Sequence, residues 1–310
     1  MNEISIKDLS VGMRLDGTPW RIRSVEIKGT IDGPRTAIVG GVWGDKPLAT
    51  ISLWHLIDIL SKKKIHGSVV VIPAVNLPAM EVNSRVNPDH VYLNRIFPGS
   101  STGPLTAQIA HTLFDYLSSN FDCVIDLHSG TSTMSLGYIY DYGDLELSSS
   151  FGFLPVILNM SQPGQLSAAL VQVGVRSCLV EFGGAGLSDM AVGVAGCLNV
   201  LGRQGHIDDP STGPDHIPII ENLKLYSPST HGILGSHYST TMIGCEVREG
   251  LASWVTSPGT GERLEEFSLE QGSGILLLAN TTPILVSPGS FGLMVGYSSR
   301  NIALNGISSR

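Results

Sequence analysis

The sequence predicts an α/β fold, a mixed sheet flanked by helices over residues 1–214 followed by a smaller β-rich module over residues 215–310. Three observations lead there. Apolar strand-like runs alternate with helix-spaced segments through the first two-thirds of the chain. Several of those runs are apolar throughout, as strands are when both faces of their sheet are covered. After the turn-rich stretch Asp208-Asp209-Pro210-Ser211-Thr212-Gly213-Pro214 the helical spacing disappears, leaving short β segments separated by Gly and Pro.

In chain order, Thr36-Ala37-Ile38-Val39 is a β-rich run that ends in Gly40-Gly41. Pro47, favourable at a first helical position, then opens a segment with Leu48, Ile51, Leu53, Trp54, Leu56, Ile57 and Leu60 at helical spacing. Lys62-Lys63-Lys64 places positive charge at that helix's C-terminus. Ser68–Pro73 is a continuous apolar strand. A helix over 106–118 leads into the strand Cys123–Leu127. Tyr138–Tyr140, Leu154–Leu158 and Ser177–Val180 are further strands, and a helix over 188–201 closes this part. Gly244–Val247 and Thr282–Val286 belong to the β-rich module.

Composition narrows the function. The 310 residues are 42% hydrophobic and only 15% charged, with 36 glycines, which suits a large core with many tight turns and excludes disorder. The net charge is −8 and no basic stripe extends beyond the three lysines, which argues against a nucleic-acid partner. Four scattered cysteines without a CxxC resemble neither a disulfide framework nor a zinc knuckle. Without a visible signal peptide or a membrane-length apolar run, the expectation is a cytoplasmic protein with no membrane partner.

Four segments place polar residues directly after apolar strands, where open α/β sheets put their ligand sites. They are Gly40–Pro47, Asn83-Ser84-Arg85 with Leu93–Gly99, Asp126-Leu127-His128-Ser129-Gly130, and Leu179-Val180-Glu181-Phe182-Gly183-Gly184. Taken in this order they resemble the succinylglutamate desuccinylase/aspartoacylase family, zinc-dependent N-acyl amino acid deacylases of carboxypeptidase-like fold. Asn94-Arg95-Ile96-Phe97-Pro98-Gly99 and Asp126–Gly130 are the specific part of the match, and the resemblance runs from about residue 36 to 186.

The resemblance implies that Glu181 is the general acid/base, and that Arg85, Asn94 and Arg95 grip a substrate carboxylate and polarise its carbonyl. Arginine suits the task because its planar fork meets a carboxylate through two bonds. The family's zinc is held by a His and a Glu of a His-Gly-x-Glu loop and by a later His. Here that loop reads Trp43-Gly44-Asp45-Lys46, and only His128 remains of the three ligands. Indole offers no lone pair and an ammonium repels a cation, while a catalytic zinc takes three protein ligands. The expectation is that the zinc site is lost and no cofactor is used.

Lys46 then supplies positive charge near Glu181, keeping a buried carboxylate ionised, or forms an ion pair of structural purpose with Glu181 or Asp126. Trp43 fills the volume the metal left or stacks on a planar substrate; Asp45 is a further candidate for contacting substrate. The first function expected is a metal-independent enzyme, with Glu181, Lys46 and His128 catalytic and Arg85, Asn94, Arg95, Trp43 and Asp45 binding a small carboxylate-bearing molecule. Condensation or cyclisation, C–N bond formation with loss of water in a biosynthetic pathway, suits it better than hydrolysis, because zinc hydroxide is missing. The alternatives are an N-acyl amino acid deacylase whose zinc site is rebuilt from Asp45, His128 and Glu181, and a non-catalytic pseudoenzyme that binds a carboxylate ligand or a partner. The oligomeric state, homo-oligomer included, stays open.

Overall fold

The buried apolar runs pair in one large sheet. In the computed structural model, residues 2–130, 136–160, 162–183, 187–209, 211–269 and 272–304 are described. Of the sequence segments above, Gly184 and Pro210 lie outside them. The chain opens with a long antiparallel hairpin, β1 (Glu3–Met13) and β2 (Pro19–Lys28), that the sequence reading had not assigned. It turns at Asp16, whose carboxylate accepts from the Thr18 amide and hydroxyl. The next strands are β3 (Ile31–Val39), β4 (His66–Ile72) and β5 (Cys123–Ser129), and β3 pairs in parallel with both of the others. β6 (Tyr138–Asp141), β7 (Val156–Ile157) and β8 (Arg176–Phe182) follow, with β8 parallel to β5 and antiparallel to β6. The segment 123–127, expected at the centre, is fully buried in the middle of the sheet.

Helices cover both faces, which explains the unbroken apolar strands. α1 (Leu48–Ser61) buries Leu53, Leu56 and Leu60. Together with Cys197, Val200 and Leu201 of the long helix Leu187–Arg203, these fill one core. The opposite face is closed by Ile109, Leu113 and Leu117 of the helix Leu105–Asn120 and by Leu166 and Leu170 of the helix Leu166–Gln172. The helix start at Leu48 leaves Pro47 as the residue before it, one position from the sequence reading.

The chain beyond residue 215 is β-rich, as expected, and part of it is built into the large sheet. β9 (His216–Tyr226) pairs in parallel with β7. β10 (Gly232–Ser236), β11 (Glu246–Val247), β12 (Gly250–Thr256), β13 (Arg263–Leu269), β14 (Gly274–Ala279), β15 (Ile284–Val286) and β16 (Leu293–Ala303) complete the fold. The large sheet has twelve strands in the order β1-β2-β4-β3-β5-β8-β6-β7-β9-β16-β14-β11, and β13-β12-β10-β15 form a second, antiparallel sheet. Leu234, Val255 and Phe267 of the second sheet and Leu276, Leu293 and Val295 of the first share a core. No helix among the described residues is long and apolar enough to cross a membrane.

Candidate active site

The four polar segments converge at the C-terminal edge of β3, β5 and β8, because parallel strands carry their ends to one side. After β3 the chain is tied to the end of β4: Val75 and Asn76 donate backbone N–H to the carbonyls of Gly40 and Gly41, and the Asn76 amide donates to Val42. Lys46 N–H then turns back to the Trp43 carbonyl, aiming both side chains at the sheet edge. Gly44 is required in this turn, since a Cβ there would sit 2.3 Å from the Ala79 carbonyl carbon.

Arg95 and Asn94 occupy a single 3-10 turn, Leu93–Arg95. The buried Asn94 Oδ1 accepts from the Leu166 amide at 3.0 Å, and Phe97 N–H donates to the Gly164 carbonyl. Gly164 has φ +82°, and its Cβ would meet the Arg95 carbonyl at 2.1 Å, so only glycine lets the two segments approach. Arg95 Nη1 donates to the Asn94 carbonyl at 2.6 Å.

Register brings three polar side chains into one row. His128 on β5, Glu181 on β8 and Tyr138 on β6 are direct cross-strand partners. Lys46 Nζ lies 3.8 Å from Glu181 Oε2, and His128 Nδ1 lies 3.6 Å from Glu181 Oε1. Burial works to raise the Glu181 pKa, yet Lys46, His128 and Arg85 together hold it below the usual carboxylate value. The site therefore keeps an ionised carboxylate out of bulk water.

His128 is fixed on both sides. Trp43 Nε1 donates to its Nδ1 at 3.0 Å, and its Nε2 lies 2.8 Å from Asp126 Oδ1. Since an indole N–H only donates, this contact suits a neutral ring, with Nδ1 accepting and Nε2 giving its proton to Asp126. Burial lowers the His128 pKa, but Asp126 and Glu181 push it up to about 9. The two carboxylates thus favour an imidazolium and the indole favours the neutral ring. Trp43 also carries Arg85, whose guanidinium carbon lies 4.4 Å from the ring centroid, and Arg95, at 5.8 Å.

A cavity of about 370 Å³ opens over this row. Of the residues singled out in the sequence, Trp43, Lys46, Arg85, Asn94, Arg95 and Glu181 line it. His128 and Asp45 do not: His128 lies beneath Trp43 and Glu181 with its side chain 1% exposed, and Asp45 keeps a buried Oδ1 without a hydrogen-bond partner among the described residues. His237 packs on Trp254 in the second sheet, and neither it nor His231 reaches the cavity. The sequence reading did not single out Tyr138, Tyr140, Gln162 and Gln165, which also line it. The Tyr138-Ile139-Tyr140 alternation, with Ile139 buried in the core, was the available signal for the two tyrosines.

The structure resembles solved proteins over almost its whole length. A succinylglutamate desuccinylase/aspartoacylase from Rhodobacter sphaeroides matches with a TM-score of 0.80 at 21% identity, over 95% of this chain and 96% of that one. A product-bound ectoine utilization protein from Ruegeria pomeroyi matches with a TM-score of 0.82 at 21% identity, over 94% of each chain. These likenesses establish the carboxypeptidase-like fold. In sequence, the N-alpha-acetyl-L-2,4-diaminobutyric acid deacetylase of Halomonas elongata is 27% identical over 238 residues, 71% of this chain and 69% of the relative. The family model of the succinylglutamate desuccinylase/aspartoacylase catalytic domain matches residues 32–199, more than half of the chain, and the chain belongs to that family.

Proposed function

We propose that this protein is an enzyme that joins an amine to a carbonyl within a small carboxylate-bearing substrate, with loss of water and without a metal. The observation that carries the reading is the Lys46–Glu181 pair, 3.8 Å apart and lining one cavity with Arg85 and Arg95. The two arginines suit the substrate carboxylate. Glu181, ionised and shielded, relays two amine protons in turn to the carbonyl oxygen, the first as the C–N bond forms and gives the hydroxyl of the addition product, the second as the C–O bond breaks and water leaves a C=N bond. Lys46 steadies the carboxylate while the negative charge on the carbonyl oxygen develops. His128, linked to Asp126 and Trp43, orients Glu181 from below.

The donor set does not suit zinc. Trp43 and Lys46 stand where the resemblance puts two ligands, and both nitrogens of His128 already have hydrogen-bond partners. Asp45, the residue that would have to replace a ligand, does not line the cavity. The deacetylase relative favours a second reading, hydrolysis of an N-acyl amino acid.

One assay separates the two. Purified protein is incubated, with and without chelator, with amino-ketone carboxylates and with N-acetyl diamino acids, and products are read by mass spectrometry. Loss of one water from the first set, unaffected by chelator, is expected. Release of acetate from the second set, abolished by chelator, would overturn the proposal.

A further inference from the structure

We infer that the substrate carries an apolar arm, alkyl or aryl, opposite its carboxylate, seated on a row of side chains from β9, β16 and β14. The inference rests on the carboxylate-anchoring reading above and adds what fills the rest of the cavity.

Leu225 on β9 and Leu278 on β14 are both direct cross-strand partners of Met294 on β16. Partners in register project from the same face, so the three make a continuous Leu–Met–Leu strip, and all three line the cavity. Leu223, two residues along β9, extends the strip, and Phe291 borders it from the turn before β16. Lys224, between the two leucines, lies over the Tyr226 ring at 4.8 Å, on the other face of its strand. Leu225 is 45% exposed and Phe291 52% exposed, so this wall has unburied apolar surface to offer a ligand.

Charge divides the cavity in the same way. Lys46, Arg85 and Arg95 belong to the segments at the edge of the parallel strands, whereas the wall from the later strands is apolar apart from Asn280. The Asn280 amide nitrogen is committed to the Phe291 carbonyl at 2.8 Å. A second carboxylate at that end would lose its water against leucine and methionine, with no cation among the described residues of that wall to replace it. A hydrocarbon group there gains by leaving water. The fit is to an amphipathic carboxylate, charged at one end only.

Two probe series test this by calorimetry on the full chain: straight-chain carboxylates from acetate to octanoate, and the matching uncharged amides. Affinity is expected to rise about fourfold per methylene in both, until the strip is covered. Leu225→Asn, at a half-exposed position, should flatten both slopes while acetate binding stays the same. Flat slopes in the unmodified protein overturn the apolar arm. If carboxylates bind no better than amides of equal length, the anchoring reading fails instead, and the amide slope still decides the arm.

Discussion

The indole nitrogen of Trp43 donates to His128 Nδ1 at 3.0 Å while the same ring supports Arg85 4.4 Å from its centroid. One side chain thus links the inner histidine to the cation that faces the cavity. Reverting this corner should restore metal binding. Trp43 already reaches His128, and Lys46 already reaches Glu181, so the double substitution Trp43→His with Lys46→Glu puts two further donors beside His128. Elemental analysis should find close to one zinc per chain in the double variant and none in the unmodified protein. Near-stoichiometric zinc in the unmodified protein, purified without added metal, would contradict the metal-free reading.

Glu181→Gln should preserve the circular dichroism spectrum and lower turnover by about 10²–10⁴-fold, because the amide keeps the shape but cannot take a proton. Unchanged turnover in the folded variant would make the carboxylate structural.

Lys46→Met should move the acidic limb of the rate profile. Lys46 is the largest influence holding Glu181 below its ordinary value, against burial. The ionised form is lost as pH falls through the Glu181 pKa, so removing the ammonium raises that pKa and shifts the limb to higher pH. An acidic limb that stays in place would show that the ion pair does not govern proton transfer.

Arg95→Ala should act on substrate affinity. Its guanidinium lines the cavity and is braced by the Asn94 carbonyl. Loss of a charge-assisted bond to a carboxylate predicts a KM raised about tenfold to a hundredfold with kcat little changed. A fall in kcat at constant KM would assign Arg95 to the reaction step.

His206 should make stability depend on pH away from the site. Its ring is buried between the His66 carbonyl at 2.9 Å and the Thr36 hydroxyl at 2.8 Å, joining the end of the Leu187–Arg203 helix to β3 and β4. Burial lowers its pKa to about 4. The unfolded chain protonates near its ordinary value of about 6.5 while the folded protein does not. The stabilising contribution is therefore complete above that value and is lost as pH falls towards 4, by up to about 3 kcal/mol. Urea unfolding at pH 7.5 and pH 5 should show this loss in the unmodified protein and a smaller one in His206→Gln. Equal losses in both would refute it.

Much of this protein was legible in local pattern. Continuous apolar runs such as Val69–Ile72 and Cys123–Leu127 marked the buried parallel strands, and the polar residues after them marked the sheet edge where Trp43, Lys46, Arg85, Arg95 and Glu181 meet. Those features depend on neighbours in the chain, so sequence alone carries them. The β1–β2 hairpin escaped because the apolar alternation of β1 changes phase at Asp8: Ile4 and Ile6 are open to solvent, whereas Leu9 and Val11 are buried.

What the tertiary structure decided depends on register between distant strands. Asn94 reads as a substrate ligand in the motif, yet its side-chain oxygen is taken by the Leu166 amide 72 residues away. Asp45 sits beside two cavity residues but lies off the cavity, because the turn between Trp43 and Lys46 points its neighbours inward. Neither the contact of Trp43 with His128 nor the Leu225–Met294–Leu278 strip has any local signature. The strip exists because hydrogen-bond ladders align residues far apart in sequence, and the Trp43 contact because the parallel pairing of β3 with β5 brings the loop after β3 to the end of β5. Local pattern determined the composition of each edge, and the pairing of the strands determined which side chains face one another.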